Sequence, residues 1–512
     1  MSRLSAVFRN SAWNVLGLVV SMSTGLFYTP YLVARLGVAS YGMVPLITGL
    51  FVWVSWISLA VSWSVGRYIT IAREKRDVEQ ENLYFNSALL PTALLSAVFG
   101  VIGILIMPLA GRIVRIPVEA EGSVAFLWAC SAIVSALGVL SGALDVGTYC
   151  RNRFDIKAMI QVARTIIMVL LVFVLFKVRG PRLEWVGVAT VVSSILGLGL
   201  VLLSQKLLLP EVSIRPSMFS RVHFREMVGT NAWILVDQLG TILLLNMDLF
   251  LANRFFGPQV SGEYGLASQW INMLKAIMTA MTVFTPMYVV YVARGDLDGL
   301  TAYAVKASRF VGYTMAIPIG LLLGLADPLT RTWLHREPGF VSPLILVLAL
   351  PLAFNAAINP LYGVWQALNK VRIPSYATLA AGVGSLVMAI VLARTTSLGV
   401  FGVALAGGVA FTARNLLFAV WYVDRLLGHG SARLIRVSVK AAGVALMIGG
   451  VGRLLTSWLH PNGWIAVGLV GCALAALGAM WVWWGCLDRS ERAQLTALAA
   501  SRLGIRTWVR AN

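Results

Sequence analysis

Residues 86–110 read NSALLPTALLSAVFGVIGILIMPLA, and this stretch contains no charged side chain. A helix needs about 20 consecutive apolar residues to cross the hydrocarbon core of a bilayer, so the stretch is long enough to span a membrane. Its apolar residues are continuous and do not alternate with a period of two, which argues against a strand of a transmembrane β-barrel. The stretch therefore predicts a transmembrane α-helix.

Apolar stretches of the same kind recur along the whole chain of 512 residues. Hydrophobic residues make up 59% of the sequence and charged residues 12%, against roughly 45–50% and about 25% in an average soluble domain. Fourteen stretches of spanning length are found at 11–34, 42–66, 86–110, 122–144, 160–178, 185–204, 229–253, 262–291, 309–327, 341–363, 375–393, 399–421, 438–457 and 463–486. The sequence therefore predicts an all-α integral membrane protein with about 14 transmembrane helices.

The positive charges indicate the orientation of the spans. The net charge is +20, and most of the 41 Lys and Arg residues fall in alternate loops or at the span ends that face them. Arg164, near the start of stretch 160–178, is grouped with these loops, whereas Lys275 lies inside a span. Because basic residues are retained on the cytoplasmic side, both termini are predicted to be cytoplasmic. The basic composition then reflects topology, and we expect no nucleic-acid partner.

Residue types that build metal, cofactor or catalytic sites do not cluster in the sequence. The four cysteines have no close pairing, and the four histidines are far apart. HExxH, GxSxG, Walker and paired-carboxylate motifs do not occur. We therefore expect no metal, no cofactor and no enzymatic activity. The longest outward connection, residues 327–340, is too short for an outer domain.

Short motifs repeat at an offset of about 220 residues, and such internal repeats are typical of transporters. Arg35-Leu36-Gly37 followed by Tyr41-Gly42 corresponds to Arg254-Phe255-Phe256-Gly257 followed by Tyr264-Gly265. The predicted units are an N-terminal six-helix bundle (1–228), a C-terminal six-helix bundle (229–437), two additional transmembrane helices (438–487) and a basic cytoplasmic tail (488–512). The tail could lie on the membrane surface as an amphipathic helix, or remain a solvated tail.

The repeated pattern also resembles a known family. The first span ends in Ala34-Arg35-Leu36-Gly37, and its counterpart is Asn253-Arg254-Phe255-Phe256-Gly257-Pro258 followed by Gly262-Glu263-Tyr264-Gly265. These motifs resemble the polysaccharide transporters of the multidrug/oligosaccharidyl-lipid/polysaccharide exporter (MOP) superfamily, which includes the Wzx-type flippases. The resemblance implies a MATE/MOP-like fold, with two six-helix bundles that face each other across a central cavity and work by alternating access. It implies the bacterial inner membrane as location and an undecaprenyl-diphosphate-linked oligosaccharide as substrate.

The number of spans distinguishes branches of this superfamily. Its drug antiporters usually have twelve spans, whereas Wzx-like proteins and lipid II flippases often have up to fourteen, so the resemblance favours the lipid-linked branch. In lipid II flippases the last two helices form a groove for the prenyl tail, and the resemblance implies the same arrangement here. Here Ala441–Gly452 and Gly463–Gly478 are rich in Gly and Ala, which let helices approach closely. These helices are interpreted either as a lipid groove or as tight packing without one.

Few ionisable residues lie in the predicted spans, and each costs about 2.5–3.5 kcal/mol at the bilayer centre unless it is paired, hydrated or functional. Lys275 lies halfway along stretch 262–291, where a cation suits a diphosphate or belongs to a structural ion pair. Asp237 and Asp248 would lie on one stripe of a straight helix, about 20° apart, together with Thr241. Either carboxylate could pair with Lys275 or bind a coupling proton or sodium ion, and Asp248 could instead neutralise Arg254.

Further polar residues in or beside the spans are candidates for substrate binding. Arg35, Arg67 and Arg414 could add positive potential to a cavity, or extend to the membrane surface. Gln269 and Asn272 could bind sugar hydroxyls, or join helices by hydrogen bonds.

Three functions are consistent with these patterns. The leading hypothesis is a flippase for an undecaprenyl-diphosphate-linked oligosaccharide, such as an O-antigen or exopolysaccharide repeat unit, driven by an ion gradient. The alternatives are a proton- or sodium-coupled MATE-like antiporter of small molecules and a non-transporting scaffold of a glycan-assembly complex. Membrane lipids are expected partners, and a polysaccharide polymerase and a chain-length regulator are candidate partners.

One stretch has an unrelated resemblance. Glu81-Asn82-Leu83-Tyr84-Phe85-Asn86-Ser87 is similar to the recognition site of a protease used to remove tags, with Asn86 where that site has Gln. Because the stretch stands at the start of the third predicted span, it is interpreted as native sequence.

Overall fold

The structure is a computed structural model that describes residues 3–281, 284–337, 339–428, 431–489, 491–493 and 496. Side chains are described for the same residues except 3–8, 11, 52–64, 228–232 and 431. Every regular element within these ranges is helical, which confirms the predicted all-α class. Most of the tail, for which an amphipathic helix is one prediction, lies outside the described residues.

The α-helices follow one another along the chain and are joined by short turns. In the described residues they are α1 (Arg3–Ser23), α2 (Thr29–Leu36), α3 (Val38–Glu74), α4 (Val78–Leu105), α5 (Ala110–Ile113), α6 (Glu121–Leu144), α7 (Val146–Cys150), α8 (Phe154–Arg179), α9 (Leu183–Leu208), α10 (Arg221–Leu245), α11 (Asp248–Phe256), α12 (Pro258–Ala280), α13 (Thr285–Ala293), α14 (Leu297–Leu334), α15 (Val341–Asn355), α16 (Tyr362–Ala367), α17 (Arg372–Thr395), α18 (Val400–Ala413), α19 (Val420–Leu427), α20 (Ser431–Leu459) and α21 (Gly463–Trp481). Turns of π-helix occur at Thr24–Tyr28, Arg414–Ala419 and Val482–Cys486. Short 3₁₀ segments are Met107–Leu109, Val118–Ala120, Pro216–Met218 and Ala356–Leu361.

The predicted spans coincide with these helices. Twelve helical stretches of the described chain are long and apolar enough to cross a membrane. Trp233–Leu245 and Asp248–Phe256 meet at a bend of 40° and together are long and apolar enough for one further span. The remaining predicted stretch, 42–66, lies within the continuous helix α3. The chain is therefore a multi-pass membrane protein.

The repeated motifs mark the ends of helices. Gly37 and Gly257 follow α2 and α11 with positive φ angles of 78° and 91°, a left-handed conformation that glycine adopts without strain. Asp77 and Asp296 precede α4 and α14, and each carboxylate accepts a hydrogen bond from the backbone N–H three residues later, at 3.0 and 2.7 Å. The same stop and start signals therefore delimit equivalent helices in both repeats.

One compact unit comprises Met1–Ile277, Gly339–Leu344 and Lys370–Arg414. Helices α3, α4, α6 and α9 pack together in it, and side chains such as Val65 and Phe85 are at most 1% exposed. The predicted boundary between residues 228 and 229 falls inside α10. The division into six-helix bundles, which follows the repeat, stays a prediction.

Glycines let helix backbones touch at two crossings of this unit. Gly42 of α3 lies against Gly262 of α12, where a Cβ on Gly42 would come within 2.5 Å of the Gly262 Cα. Gly240 of α10 and Gly382 of α17 form the second crossing. Residues with side chains would force these pairs of helices apart.

Two asparagines on α4 hold the segment that follows α9. Asn82 donates a hydrogen bond to the carbonyl of Glu211 at 3.1 Å and accepts one from the N–H of Ser213 at 2.8 Å. Asn86, one turn later, donates to the carbonyl of Ser213 at 2.9 Å and accepts from the N–H of Arg215 at 2.7 Å. The amides thus bind the backbone as a neighbouring β-strand would. We call these two asparagines and residues 211–215 the linker clamp.

A second compact unit comprises Met278–Pro338, Ile345–Asn369 and Asn415–Asn512. Its most extensive helix packing is between α14 and α20, where Gly324 of α14 meets Gly452 of α20. A Cβ on Gly324 would lie 3.0 Å from the Gly452 Cα. Part of the Gly-rich character of residues 441–452 therefore serves close packing.

The same unit contains an apolar groove between α20 and α21, with a volume of about 310 Å³. Its lining includes Met447, Val451, Leu474, Leu477, Met480 and Trp484. Helix α20 therefore combines close packing on α14 with a groove beside α21.

Candidate functional site

The first and the seventh spans deviate from a regular α-helix at corresponding positions of the repeat, and we call these two deviations interruptions. Residues Thr24–Tyr28 form a turn of π-helix between α1 and α2, while α10 ends at Leu245 and α11 begins at Asp248. The repeat offset of about 220 residues places one interruption on the other. Turns of π-helix are frequent at functional sites, and broken spans are typical of the substrate sites of transporters.

A buried tyrosine reaches the first residue after each interruption. Tyr264 of α12 donates a hydrogen bond to Asp248, the first residue of α11, with an Oη to Oδ2 distance of 3.0 Å. Tyr41 of α3 is hydrogen-bonded to Thr29, the first residue of α2. Tyr41 and Tyr264 belong to the repeated Tyr-Gly motif and are 5% and 2% exposed, respectively. The motif thus builds two equivalent contacts, of which the second contains a carboxylate.

The Asp248 carboxylate of the second contact interacts with Lys275, the cation predicted to bind the substrate. Lys275 follows Tyr264 by about three turns of α12, which brings both to nearly the same side of the helix. Lys275 and Asp248 interact electrostatically, and both are half-buried. The N-terminus of α11 also favours a negative charge on Asp248, because the helix dipole is positive there.

A glycine makes room for this carboxylate. Gly407 of α18 lies beside Asp248, and a Cβ on it would be 2.9 Å from the Asp248 Oδ2. The absence of a side chain at position 407 therefore determines how closely α18 approaches the site. We call Asp248, Tyr264 and Lys275 the central charge cluster.

A second charged group lies between α10, α17 and the end of α18. Arg414, which is 8% exposed, donates a hydrogen bond from Nη2 to the Thr378 Oγ1 at 2.8 Å. The Asp237 carboxylate interacts with Thr378 and electrostatically with Arg414. The glycine crossing of α10 and α17 brings these residues together. Each buried cation that the sequence marks inside a span thus has one of the predicted carboxylates as a counter-charge.

The stripe expected for Asp237 and Asp248 on one straight helix is interrupted. The bend of 40° between α10 and α11 separates the two residues. Asp237 faces α17, whereas Asp248 faces α12 and α18. The calculated angle of about 20° holds only for an unbroken helix, and hydropathy does not reveal the break.

The other predicted binding residues lie elsewhere. Arg35, at the end of α2, is exposed and stacks over the ring of Tyr31 at 5.8 Å. Arg67 on α3 and Asn272 on α12 are also exposed. Gln269 of α12 is half-buried and packs its amide against Gly25, inside the interruption of the first span. Gln269 therefore lies at one of the two interruptions.

Two residues of interest were not among the predicted site residues. Tyr264 had a usable signal, because it belongs to the repeated Tyr-Gly motif. Arg164 was grouped with the cytoplasmic loops, but it lies well inside α8, where its side chain contacts α9. Its position near the start of an apolar stretch gives no sequence signal that separates the two environments.

Comparison with known proteins places the chain in a family and a fold. Residues 7–289 match the sequence family described as polysaccharide biosynthesis protein. The "uncharacterized membrane protein EpsK" of Bacillus subtilis (strain 168) is 27% identical over 490 residues, which cover 94% of this chain and 96% of that protein.

Two solved structures share the architecture at low sequence identity. An inward-facing multidrug resistance MATE family transporter of the MOP superfamily matches with a TM-score of 0.68 and 13% identity, over 80% of this chain and 98% of its own. The lipid II flippase MurJ in an inward closed conformation matches with a TM-score of 0.66 and 13% identity, over 94% of this chain and 99% of its own. The predicted MATE/MOP-like fold is therefore confirmed. Because the sequence match covers more than half of its length, the chain belongs to the polysaccharide biosynthesis protein family of MOP-fold membrane proteins.

Proposed function

We propose that this chain moves a prenyl-diphosphate-linked oligosaccharide across the bacterial inner membrane by alternating access, with both termini in the cytoplasm. The central charge cluster at the interruption of the seventh span carries the proposal. Membership of a polysaccharide biosynthesis family, and a fold shared with a lipid II flippase, support a lipid-linked sugar as the cargo. A polysaccharide polymerase and a chain-length regulator are the partners expected for the exported product.

The central charge cluster suits an anionic head group. Asp248 balances the charge of Lys275 before the cargo binds, and the head group can then take the place of this carboxylate. An isolated lysine in the bilayer centre costs about 2.5–3.5 kcal/mol, and Asp248 offsets part of that cost for Lys275. A diphosphate carries more negative charge and more acceptor oxygens than a carboxylate, so it competes with Asp248 for the ammonium group. Binding of the head group would therefore exchange one anion for another.

The same exchange provides a way to couple transport to an ion gradient. When the diphosphate takes the place of Asp248 beside Lys275, the carboxylate keeps the hydrogen bond from Tyr264 and loses its positive neighbour. A carboxylate without a counter-charge in low dielectric binds a proton or a sodium ion. Asp237 beside Arg414 is a second position where the same exchange can occur.

The prenyl tail requires an apolar surface, and we assign it to the groove between α20 and α21. The groove holds about 310 Å³ and is lined almost entirely by apolar side chains such as Met447 and Leu477. The glycines that pack α20 on α14 lie at other positions of the same helix, so close packing and a groove are compatible. Substituting Leu477 with a charged residue would then weaken binding of the tail.

A MATE-like antiporter of small molecules is the second candidate, because the fold also matches a MATE transporter and a carboxylate accompanies both Lys275 and Arg414. An antiporter of cationic drugs would hold its cargo at Asp237 or Asp248. It would then tolerate loss of Lys275 and fail after Asp237→Asn. The flippase hypothesis predicts that loss of Lys275 is the more damaging change.

The decisive experiment measures which leaflet holds the lipid-linked oligosaccharide in cells that lack the gene. We expect this lipid to accumulate facing the cytoplasm, and we expect the wild-type gene to relieve the accumulation. Lys275→Ala should fail to relieve it and Lys275→Arg should succeed in part, at equal abundance in the membrane. Arg179→Gln, which removes an exposed cation at the end of α8, is the control and should behave as wild type. Absence of accumulation would refute the flippase and leave the antiporter and the scaffold.

A further inference from the structure

An arginine lies inside the membrane between α8 and α9, away from the central charge cluster. Arg164 follows the first residue of α8 by ten residues, which is about 15 Å along a helix of 26 residues. Its Nη2 donates a hydrogen bond to the Ser194 Oγ at 3.1 Å, and Ser194 stands near the middle of α9. The guanidinium therefore lies beside the middle of α9, within the apolar part of the two spans.

The packing holds this guanidinium against α9. Gly197 provides the space, because a Cβ there would come within 2.7 Å of the Arg164 Cγ. The Arg164 stem thus lies across Gly197, and the head group reaches Ser194 one turn away. The two helices thus fix the position of the Arg164 guanidinium, and the side chain does not extend to the membrane surface.

The charge of Arg164 is not balanced as the other intramembrane charges are. Among the residues that the structure describes, no carboxylate forms an ion pair with Arg164, and its buried Nε has no hydrogen-bond partner. A guanidinium has five N–H donors, and the Ser194 hydroxyl accepts one. An arginine at this depth therefore retains donors and charge for an anion.

The internal repeat shows which group is missing. The offset of 220 residues that aligns Trp13 with Trp233 maps Gly17 onto Asp237. Both repeats join their last two helices by an arginine and a hydroxyl, although the arginine is on opposite helices. At the place of the Asp237 carboxylate, the first repeat has Gly17 beside α8, where a Cβ would meet nothing closer than Val162 at 3.9 Å.

We infer that Arg164 and Ser194 form a phosphate-binding site inside the membrane, and that the diphosphate of the lipid-linked substrate supplies the anion which the first repeat lacks. The inference rests on the proposed function. A guanidinium binds a phosphate through two parallel hydrogen bonds, so arginine is better suited than lysine to this role. The site would hold the head group separately from Lys275.

The test compares two ligands with the same prenyl chain, of which only one carries a diphosphate. Farnesyl diphosphate and farnesol are titrated against the full-length protein in detergent, and binding is followed by thermal stabilisation and by thermophoresis. We expect Arg164→Gln to raise the Kd of farnesyl diphosphate by about tenfold or more, as loss of a charge-assisted hydrogen bond does, and to leave farnesol unaffected. Gly197→Ala, which displaces the Arg164 side chain without removing its charge, should also weaken binding of farnesyl diphosphate. Arg164→Lys should recover part of the affinity, and Arg179→Gln should match wild type.

Each other outcome counts against the site. Equal weakening of farnesyl diphosphate and farnesol by Arg164→Gln would indicate a structural role, and no weakening would exclude Arg164 as a ligand-binding residue. Stabilisation by phosphatidylglycerol that depends on Arg164, without any by farnesyl diphosphate, would assign the site to bilayer lipid and overturn the inference. If Lys275→Ala weakens binding of farnesyl diphosphate and Arg164→Gln does not, only the site at Arg164 and Ser194 is refuted. If wild type does not discriminate between diphosphate and alcohol, the proposed function fails.

Discussion

The crossing of α14 and α20 gives a quantitative prediction, because two glycines of α20 have opposite surroundings. A Cβ on Gly452 would lie 2.9 Å from the Gly324 Cα, which is backbone and cannot rotate away. A Cβ on Gly450, two residues earlier in the same helix, would meet nothing within 4 Å. We therefore expect Gly452→Ala to destabilise the protein relative to Gly450→Ala.

The magnitude follows from the difference between the two variants. Glycine to alanine in a helix gains about 1 kcal/mol of intrinsic propensity in both variants, so this contribution cancels. Overpacking at Gly452 costs about 1–3 kcal/mol, and the open site at Gly450 has no such cost. The free energies of unfolding of the two variants should therefore differ by about 1–3 kcal/mol, which corresponds to about 1–3 °C in melting temperature.

The assay is thermal unfolding of both purified variants in one detergent, followed by tryptophan fluorescence and by retention of the monodisperse peak in size-exclusion chromatography. Gly450→Ala should melt at or above the wild-type temperature, and Gly452→Ala should melt below Gly450→Ala. Equal melting temperatures for the two variants would refute the close contact between α14 and α20.

Two further perturbations test the site and the linker clamp. Gly407→Ala should lower transport because the added methyl displaces the Asp248 carboxylate, whereas Gly384→Ala, whose Cβ would meet nothing within 4 Å, should transport as wild type; equal transport by both variants would contradict the packing at Asp248. Asn86→Ala should cost about 1–3 kcal/mol of stability, because two hydrogen bonds to partly buried backbone groups of residues 211–215 are lost at about 0.5–1.5 kcal/mol each, and it should speed hydrogen exchange in that segment more than elsewhere. Unchanged exchange in that segment would refute the linker clamp.

The spans could be predicted because a bilayer imposes a length and a composition that one sequence displays. Residues 86–110 show this directly, and the same criterion located the other stretches. The repeat could also be seen, because Gly37 and Gly257 are required by backbone conformation at the ends of α2 and α11. These features depend on local sequence.

The pairing of charges could not be predicted in the same way. Whether Lys275 meets Asp237 or Asp248 depends on how helices rotate and where they break, and hydropathy is the same for every rotation. The bend after Leu245 redirects Asp248 toward α12, although no proline or glycine marks that position. Arg164 was missed for a related reason, since a cation near the edge of an apolar run has the same sequence signature whether it faces water or another helix.

The linker clamp has a practical consequence for laboratory handling. The stretch Glu81–Ser87 is similar to a tag-removal site, but it is folded into α4, and Phe85, Asn86 and Ser87 are at most 1% exposed. Proteases cut exposed and locally unfolded chain far more readily than buried helix. A fusion tag with the true site can therefore be removed from the folded protein while the chain itself stays intact.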